Sequence, residues 1–107
     1  MNHNRINQIM EFLITEPEDP FLQYSMALEY LKIDMDKDAR KIFENLLKSN
    51  KDYLPTYYQL GKLYEKLNLS PRAIITYQEG LIVAERQKNL RAIRELKESL
   101  NNLTGDE

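Results

Sequence analysis

The chain has 107 residues, 42% hydrophobic and 30% charged, with no Cys, no Trp and a formal net charge of −2. That length holds one domain with a modest core, and zero cysteines remove disulfides, thiolate metal sites and cysteine nucleophiles, which fits a reducing cytoplasmic compartment. The 15 basic and 17 acidic side chains leave no global field for nucleic acid or an anionic membrane, and the longest apolar run, Leu81 to Ala84, is four residues, too short for a span.

Along the chain there is no alternating β-branched run and no Asn-Gly or Asp-Gly hairpin, so strands are not expected. Ile6, Ile9, Met10 and Leu13 fall at helical spacing and predict a first amphipathic helix over 4–15. Asn7, Gln8 and Glu11 interrupt it, which argues against a signal peptide. Pro17 and Pro20 end that helix. A second helix is expected from Phe21 to about Ile33, apolar around most of its circumference, and a third from Ala39 to Lys48 around Ile42, Phe43, Leu46 and Leu47. The turn Ser49–Asp52 precedes a fourth helix from about Leu54 to Leu67, with Pro55 in its first turn, where N–H groups lack partners anyway. Ser70 suits an N-cap and Pro71 the position after it, opening a fifth helix that runs to about Arg86. A sixth follows Asn89 and ends at Thr104-Gly105. The fold class is therefore all-α, an antiparallel array of helix hairpins with about six helices.

Sliding the chain by 34 residues lays Tyr24 on Tyr58, Tyr30 on Tyr64, Ala39 on Ala73 and Leu47 on Leu81. Ala27 meets Gly61, Phe43 meets Tyr77, and Asp34 meets Asn68. Small residues meet small ones, where helices would approach closely, and aromatic residues meet aromatic ones as plugs. Asp34 and Asn68 end the first helix of each unit, where a residue that tolerates the left-handed region is wanted. The run Tyr57-x2-Leu60-Gly61-x2-Tyr64 followed by Ala73-x3-Tyr77 resembles the tetratricopeptide repeat family. An earlier copy, Gln23-x2-Met26-Ala27-x2-Tyr30 with Ala39-x3-Phe43, has Gln23 in place of the aromatic residue. Both units lack the family's late proline, its slot holding Lys51 and Glu85, so the fifth helix is expected to run past the usual stop. The resemblance implies a single domain over 1–107 with repeats at 20–53 and 54–87. The helices at 4–15 and 88–104 would cap its two ends.

No constellation for catalysis emerges, and the chain reads as no enzyme. His3 is the one histidine and has no orienting partner in the sequence. Asp34-x-Asp36-x-Asp38 opens like a calcium loop, but Ala39 and Asn45 stand where Gly and a bidentate Glu are required. Helix termination explains it better, with Asp36 capping the third helix and Asp38 complementing its dipole. No cofactor is expected. The cluster Arg86, Lys88, Arg91, Arg94, Lys97 shares its face with Glu95 and Glu98 and carries no aromatic residue for stacking, which argues against nucleic acid. Residues 1–36 carry two basic and seven acidic groups, and residues 37–103 thirteen basic and eight acidic. The ends thus differ in sign, which leaves a head-to-tail contact with a partner or another copy open.

In the resembled family the first helix of each repeat lines a concave groove for peptides or partner helices. Carried onto this chain, the groove positions are Phe21, Tyr24, Leu28 and Leu31 in the first repeat and Tyr58, Gln59, Lys62, Glu65 and Lys66 in the second. The resemblance implies a non-catalytic protein–protein interaction module in which Tyr24 and Tyr58 anchor and Lys62 and Lys66 select an acidic residue. Relatives that clamp a chaperone tail's carboxylate use Lys and Asn where this chain has Tyr24 and Leu28, so that subtype is set aside. The alternative is a homodimer formed through the apolar strip around Tyr24 and Leu28. A third arrangement has the first helix fold across that strip, burying Ile6, Ile9, Met10 and Leu13.

Overall fold

Helical periodicity carries through the computed structural model, which describes residues 4–105; among them are six α-helices and no strand. They are α1 (Asn4–Thr15), α2 (Pro20–Lys32), α3 (Asp36–Ser49), α4 (Pro55–Lys66), α5 (Ser70–Arg86) and α6 (Leu90–Thr104). His3, Asp106 and Glu107 lie outside the described residues. The chain divides into two units, one ending at Asn50 and the other beginning at Lys51. In the first, α2 packs on both α1 and α3; in the second, α5 packs on both α4 and α6.

Three helix ends are built alike. Asp34, Asn68 and Lys88 adopt φ of 61°, 62° and 57°. At each, the next residue's N–H reaches back across the turn: Met35 to Tyr30 O at 2.9 Å, Leu69 to Tyr64 O at 2.8 Å, and Asn89 to Ala84 O at 3.0 Å. The left-handed residue's own N–H bonds Leu31, Glu65 or Glu85, which completes a Schellman closure and satisfies carbonyls the helix end would otherwise orphan. The expectation for Asp34 and Asn68 is met at both. Gly105, with φ of 75°, closes α6 through its N–H to Asn101 O.

The closures also correct two expected caps. Asp36 and Ser70 are the first residues of their helices, not the caps; Met35 and Leu69 precede them and make no side-chain capping bond. The reason is geometric. Once Met35 and Leu69 have closed one helix, their carbonyls accept from Ala39 and Ala73 and open the next. No intervening residue is left to serve as a separate cap. At α2 and α6 a side chain does the work, whereas Leu54 before α4 makes no side-chain capping bond. Asp19 accepts from Leu22 N at 3.1 Å, and Asn89 from Ala92 N at 3.0 Å.

In the first unit Ile6, Ile9 and Met26 are buried together, with Leu13, Tyr30, Ile33 and Ile42 packed against them. Ala27, Ala39, Phe43 and Leu46 are fully buried. In the second unit Leu60, Ala73, Tyr77 and Leu96 are fully enclosed and Gly61 is buried. The small residues are buried as expected, but at Gly61 the close neighbour is a ring and not a backbone: a Cβ there would stand 2.2 Å from Tyr77 Cε1. Gly80 has the same function. A Cβ on it would meet Tyr57 Cβ at 2.6 Å and Leu96 Cδ1 at 3.2 Å. In the 34-residue register these two positions are Gln23 and Leu46, so one unit combines a large ring with glycine and the other a smaller polar residue with leucine. Gln23 turns its amide to Pro17 O at 2.7 Å. The substitution that weakens the first copy of the motif is thus matched by a compensating one 23 residues later.

Helix α5 has 17 residues against 14 in α3, so it does run on past the usual stop. Its extra turn ends in Arg86, which pairs with the Asp52 carboxylate, followed by Gln87, whose side chain donates to Asp52 O at 2.8 Å. Tyr57 OH donates to Lys51 O at 2.7 Å, so the turn before α4 is held from two sides. The apolar side of α6 is only partly buried. Leu96 is enclosed and Ser99 is buried beside it, whereas Ile93, Leu100 and Leu103 are half-buried and Leu90 is 74% exposed at the first position of the helix.

Candidate functional site

The positions carried over from the resemblance lie on α2 in one unit and on α4 in the other. On α2, Phe21 is 58% exposed, and Tyr24, Leu28 and Leu31 are half-buried. Tyr24 leans inward, its ring tilted 56° against Phe43 with centroids 6.0 Å apart. It is therefore a partly supported aromatic and not a loose one. α1 does not lie across this strip. Its buried residues Ile6 and Ile9 meet Met26, with Tyr30 and Ile33 beside them, and Met10, expected to be buried, is 49% exposed. Met26 and Tyr30 follow the opposite stripe of α2, so the side bearing Phe21 is left to other contacts.

On α4, Tyr58, Gln59, Lys62 and Glu65 are half-buried and Lys66 is exposed. Lys62 Nζ sits 5.4 Å from the centre of the Tyr58 ring and 3.7 Å from Glu65 Oε2. The ring's π face and the carboxylate share one ammonium, so Lys62 is oriented before any ligand arrives. Glu65 is held in turn from below, because the buried Tyr77 hydroxyl donates to the same Oε2. Burial pushes the Tyr77 phenol far above the ordinary range, and the hydrogen bond and negative charge of Glu65 push it further; Ser99 opposes them through its own hydrogen bond. Tyr57 is raised as well, first by burial and then by Glu79 and Asp52, with Arg86 acting the other way. Behind this face Arg72 lies 6.0 Å from the ring of Tyr64.

Sequence reading brought Tyr58, Lys62 and Glu65 onto one helix face, and they are found together. It did not foresee Tyr77 and Ser99 as their support. The available signal was the hydroxyl: Tyr77 stands in register with Phe43, and a buried phenol needs a hydrogen-bond partner that a phenyl ring does not. Among the described residues no group of three or more His, Asp or Glu side chains could hold a metal ion, and no helix is long and apolar enough to cross a membrane.

These helix hairpins, closed by repeated Schellman turns and packed through small residues against aromatic plugs, define a helical-repeat protein. A tetratricopeptide repeat domain protein from Salinibacter ruber is 40% identical in its crystal structure, which matches 83% of this chain and 99% of that one with a TM-score of 0.78. A solution structure of a tetratricopeptide repeat domain protein from the same organism is 42% identical over 83% of this chain and 90% of that one, with a TM-score of 0.80. The crystal structure of MamA is 16% identical over 94% of this chain and 66% of that one, and its TM-score of 0.65 shows a shared fold. No family model and no curated protein matches the chain. At that identity and coverage the chain belongs to the tetratricopeptide repeat family.

Proposed function

We propose that this chain is a non-catalytic, cytoplasmic protein-interaction module that binds a peptide or partner helix through the first helix of each repeat. The repeats are read as 20–53 and 54–87, with 4–15 and 88–104 as caps. The observation that carries the reading is the oriented group Tyr58, Lys62 and Glu65 on α4, an aromatic anchor beside a preset pair of opposite charges. On α2, Phe21, Tyr24, Leu28 and Leu31 supply the apolar counterpart. Lys62 and Lys66 are the cations that would select an acidic residue of the ligand, Lys66 being the more exposed of the two. Peptides selected from a random displayed library on the immobilised chain test this. Tyr58→Ala combined with Lys62→Glu is expected to weaken the selected peptides by about tenfold or more while the helical melt stays intact. Equal binding by wild type and variant would remove α4 as the binding face.

A second reading is a homodimer through the α2 strip, favoured by the 58% exposure of Phe21. Sedimentation across micromolar concentrations tests it: a dimer lost in Phe21→Ser supports it, and a strict monomer refutes it.

A further inference from the structure

The polar group on α4 has an apolar counterpart in the 34-residue register, and the two differ as sets. Leu28, Leu31 and Phe43 become Lys62, Glu65 and Tyr77, while Ala27 becomes Gly61. Packing ties these changes together. A Cβ on Gly61 would stand 2.6 Å from Tyr77 Cζ, the carbon that bears the hydroxyl, so glycine lets the edge of the ring lie directly against α4. The hydroxyl then reaches Glu65, one turn further along the same helix, and donates to its Oε2. In the first unit Phe43 fills the matching place, fully buried, with no hydroxyl to satisfy.

Glu65 is both the anion beside Lys62 and the rival of any acidic guest. Lys62 Nζ stands over the Tyr58 ring, 5.4 Å from its centre, and 3.7 Å from Glu65 Oε2, too far for a hydrogen bond. The oxygen it faces is the one that accepts from Tyr77. Donation from the phenol compensates part of the charge on that oxygen, which weakens its pull on the ammonium. Lys62 therefore stays on the ring, oriented but not hydrogen-bonded to Glu65, with its side chain 41% exposed.

We propose that Tyr77 is a positioning residue for the α4 face: by engaging Glu65 from the interior, it keeps Lys62 available to a carboxylate of a bound peptide. This rests on the reading of α4 as a binding face. Tyr77 touches no peptide itself, since it is fully buried on α5. Without its hydroxyl, Glu65 turns to Lys62, the ion pair closes, and an incoming carboxylate has to break it.

The probes are a peptide with one Asp, selected from the displayed library on the full chain, and its twin with Asn in that place, both read by fluorescence anisotropy. The Asp peptide is expected to bind wild type about tenfold more tightly than its twin. Tyr77→Phe is expected to cut that ratio to about twofold and to leave binding of the Asn twin unchanged, which a general loosening of the fold would not do. Glu65→Gln keeps an acceptor for the phenol and removes the rival anion, so it is expected to raise the ratio above tenfold. Adding Tyr77→Phe to Glu65→Gln then changes the ratio no further, because the phenol acts through that one carboxylate. Without peptide, the Lys62 side-chain protons are shifted upfield by the Tyr58 ring, and in Tyr77→Phe they are expected to move back as Lys62 leaves the ring for Glu65. Circular dichroism checks the fold of each variant. Unmoved Lys62 protons overturn the proposal, as does an equal drop in ratio on adding Tyr77→Phe to Glu65→Gln. Should no selected peptide respond to Tyr58→Ala with Lys62→Glu, the α4 reading and this inference fail together. Peptides that respond to that variant but keep their preference in Tyr77→Phe overturn this inference alone.

Discussion

Tyr77 shows how much one atom changes a buried position. Its register mate Phe43 fills space alone, whereas the Tyr77 hydroxyl must be satisfied, and Glu65 and Ser99 do so from two other helices. Replacing it with phenylalanine keeps the plug and removes the donor. Tyr77→Phe is expected to cost about 1 to 2 kcal/mol at neutral pH, because the Glu65 carboxylate loses a partner where water reaches it poorly. The pH dependence has a definite sign. The folded-state pKa lies above the ordinary value of 10.0, so the unfolded chain gives up its proton first. The stabilisation is complete below about pH 10 and is lost as pH rises through the folded value. Above about pH 10 melting temperatures should fall more steeply for wild type than for Tyr77→Phe, with the two curves parallel below it; parallel curves above about pH 10 would contradict the assignment.

At the scale of the element, the Schellman closures make the repeat legible and also expose its one irregularity. Asp34 and Asn68 are polar residues that accept a left-handed backbone at little cost, and the sequence marks both. Lys88 adopts the same conformation with a side chain that gains nothing from it. Lys88→Gly is expected to raise the melting temperature by about 4 °C, equivalent to about 1 kcal/mol, because glycine relieves the Cβ clash at φ of 57°. A lowered melting temperature would mean that the lysine makes a contact worth more than the strain. The register mate of Lys88, Leu54, has a right-handed φ of −57°, because α3 ends one turn earlier than α5. Arg86 and Gln87 in that extra turn hold the Lys51–Asp52 turn, and this contact stands where the family pattern has a proline.

For the molecule as a whole, each unit has its own buried residues. Removing Ile9, 4% exposed against Met26, should open a cavity on one side only. Ile9→Ala is expected to cost about 2 to 4 kcal/mol, with amide exchange accelerating first through α1 and α2 rather than in α4 to α6. Uniform acceleration would mean that the chain opens as a single cooperative body.

The helical class, the six elements, the 34-residue register and the left-handed positions at Asp34 and Asn68 were all readable from the chain. They depend on local spacing and on backbone preferences that act within a few residues. The face of α2 that receives α1, the support of Glu65 by Tyr77 and the balance of Gly80 against Tyr57 appear only in the folded structure. Each depends on which side chains from distant segments meet in a close-packed interior, and that is set by volume and hydrogen-bond satisfaction across helices, not by periodicity along one of them.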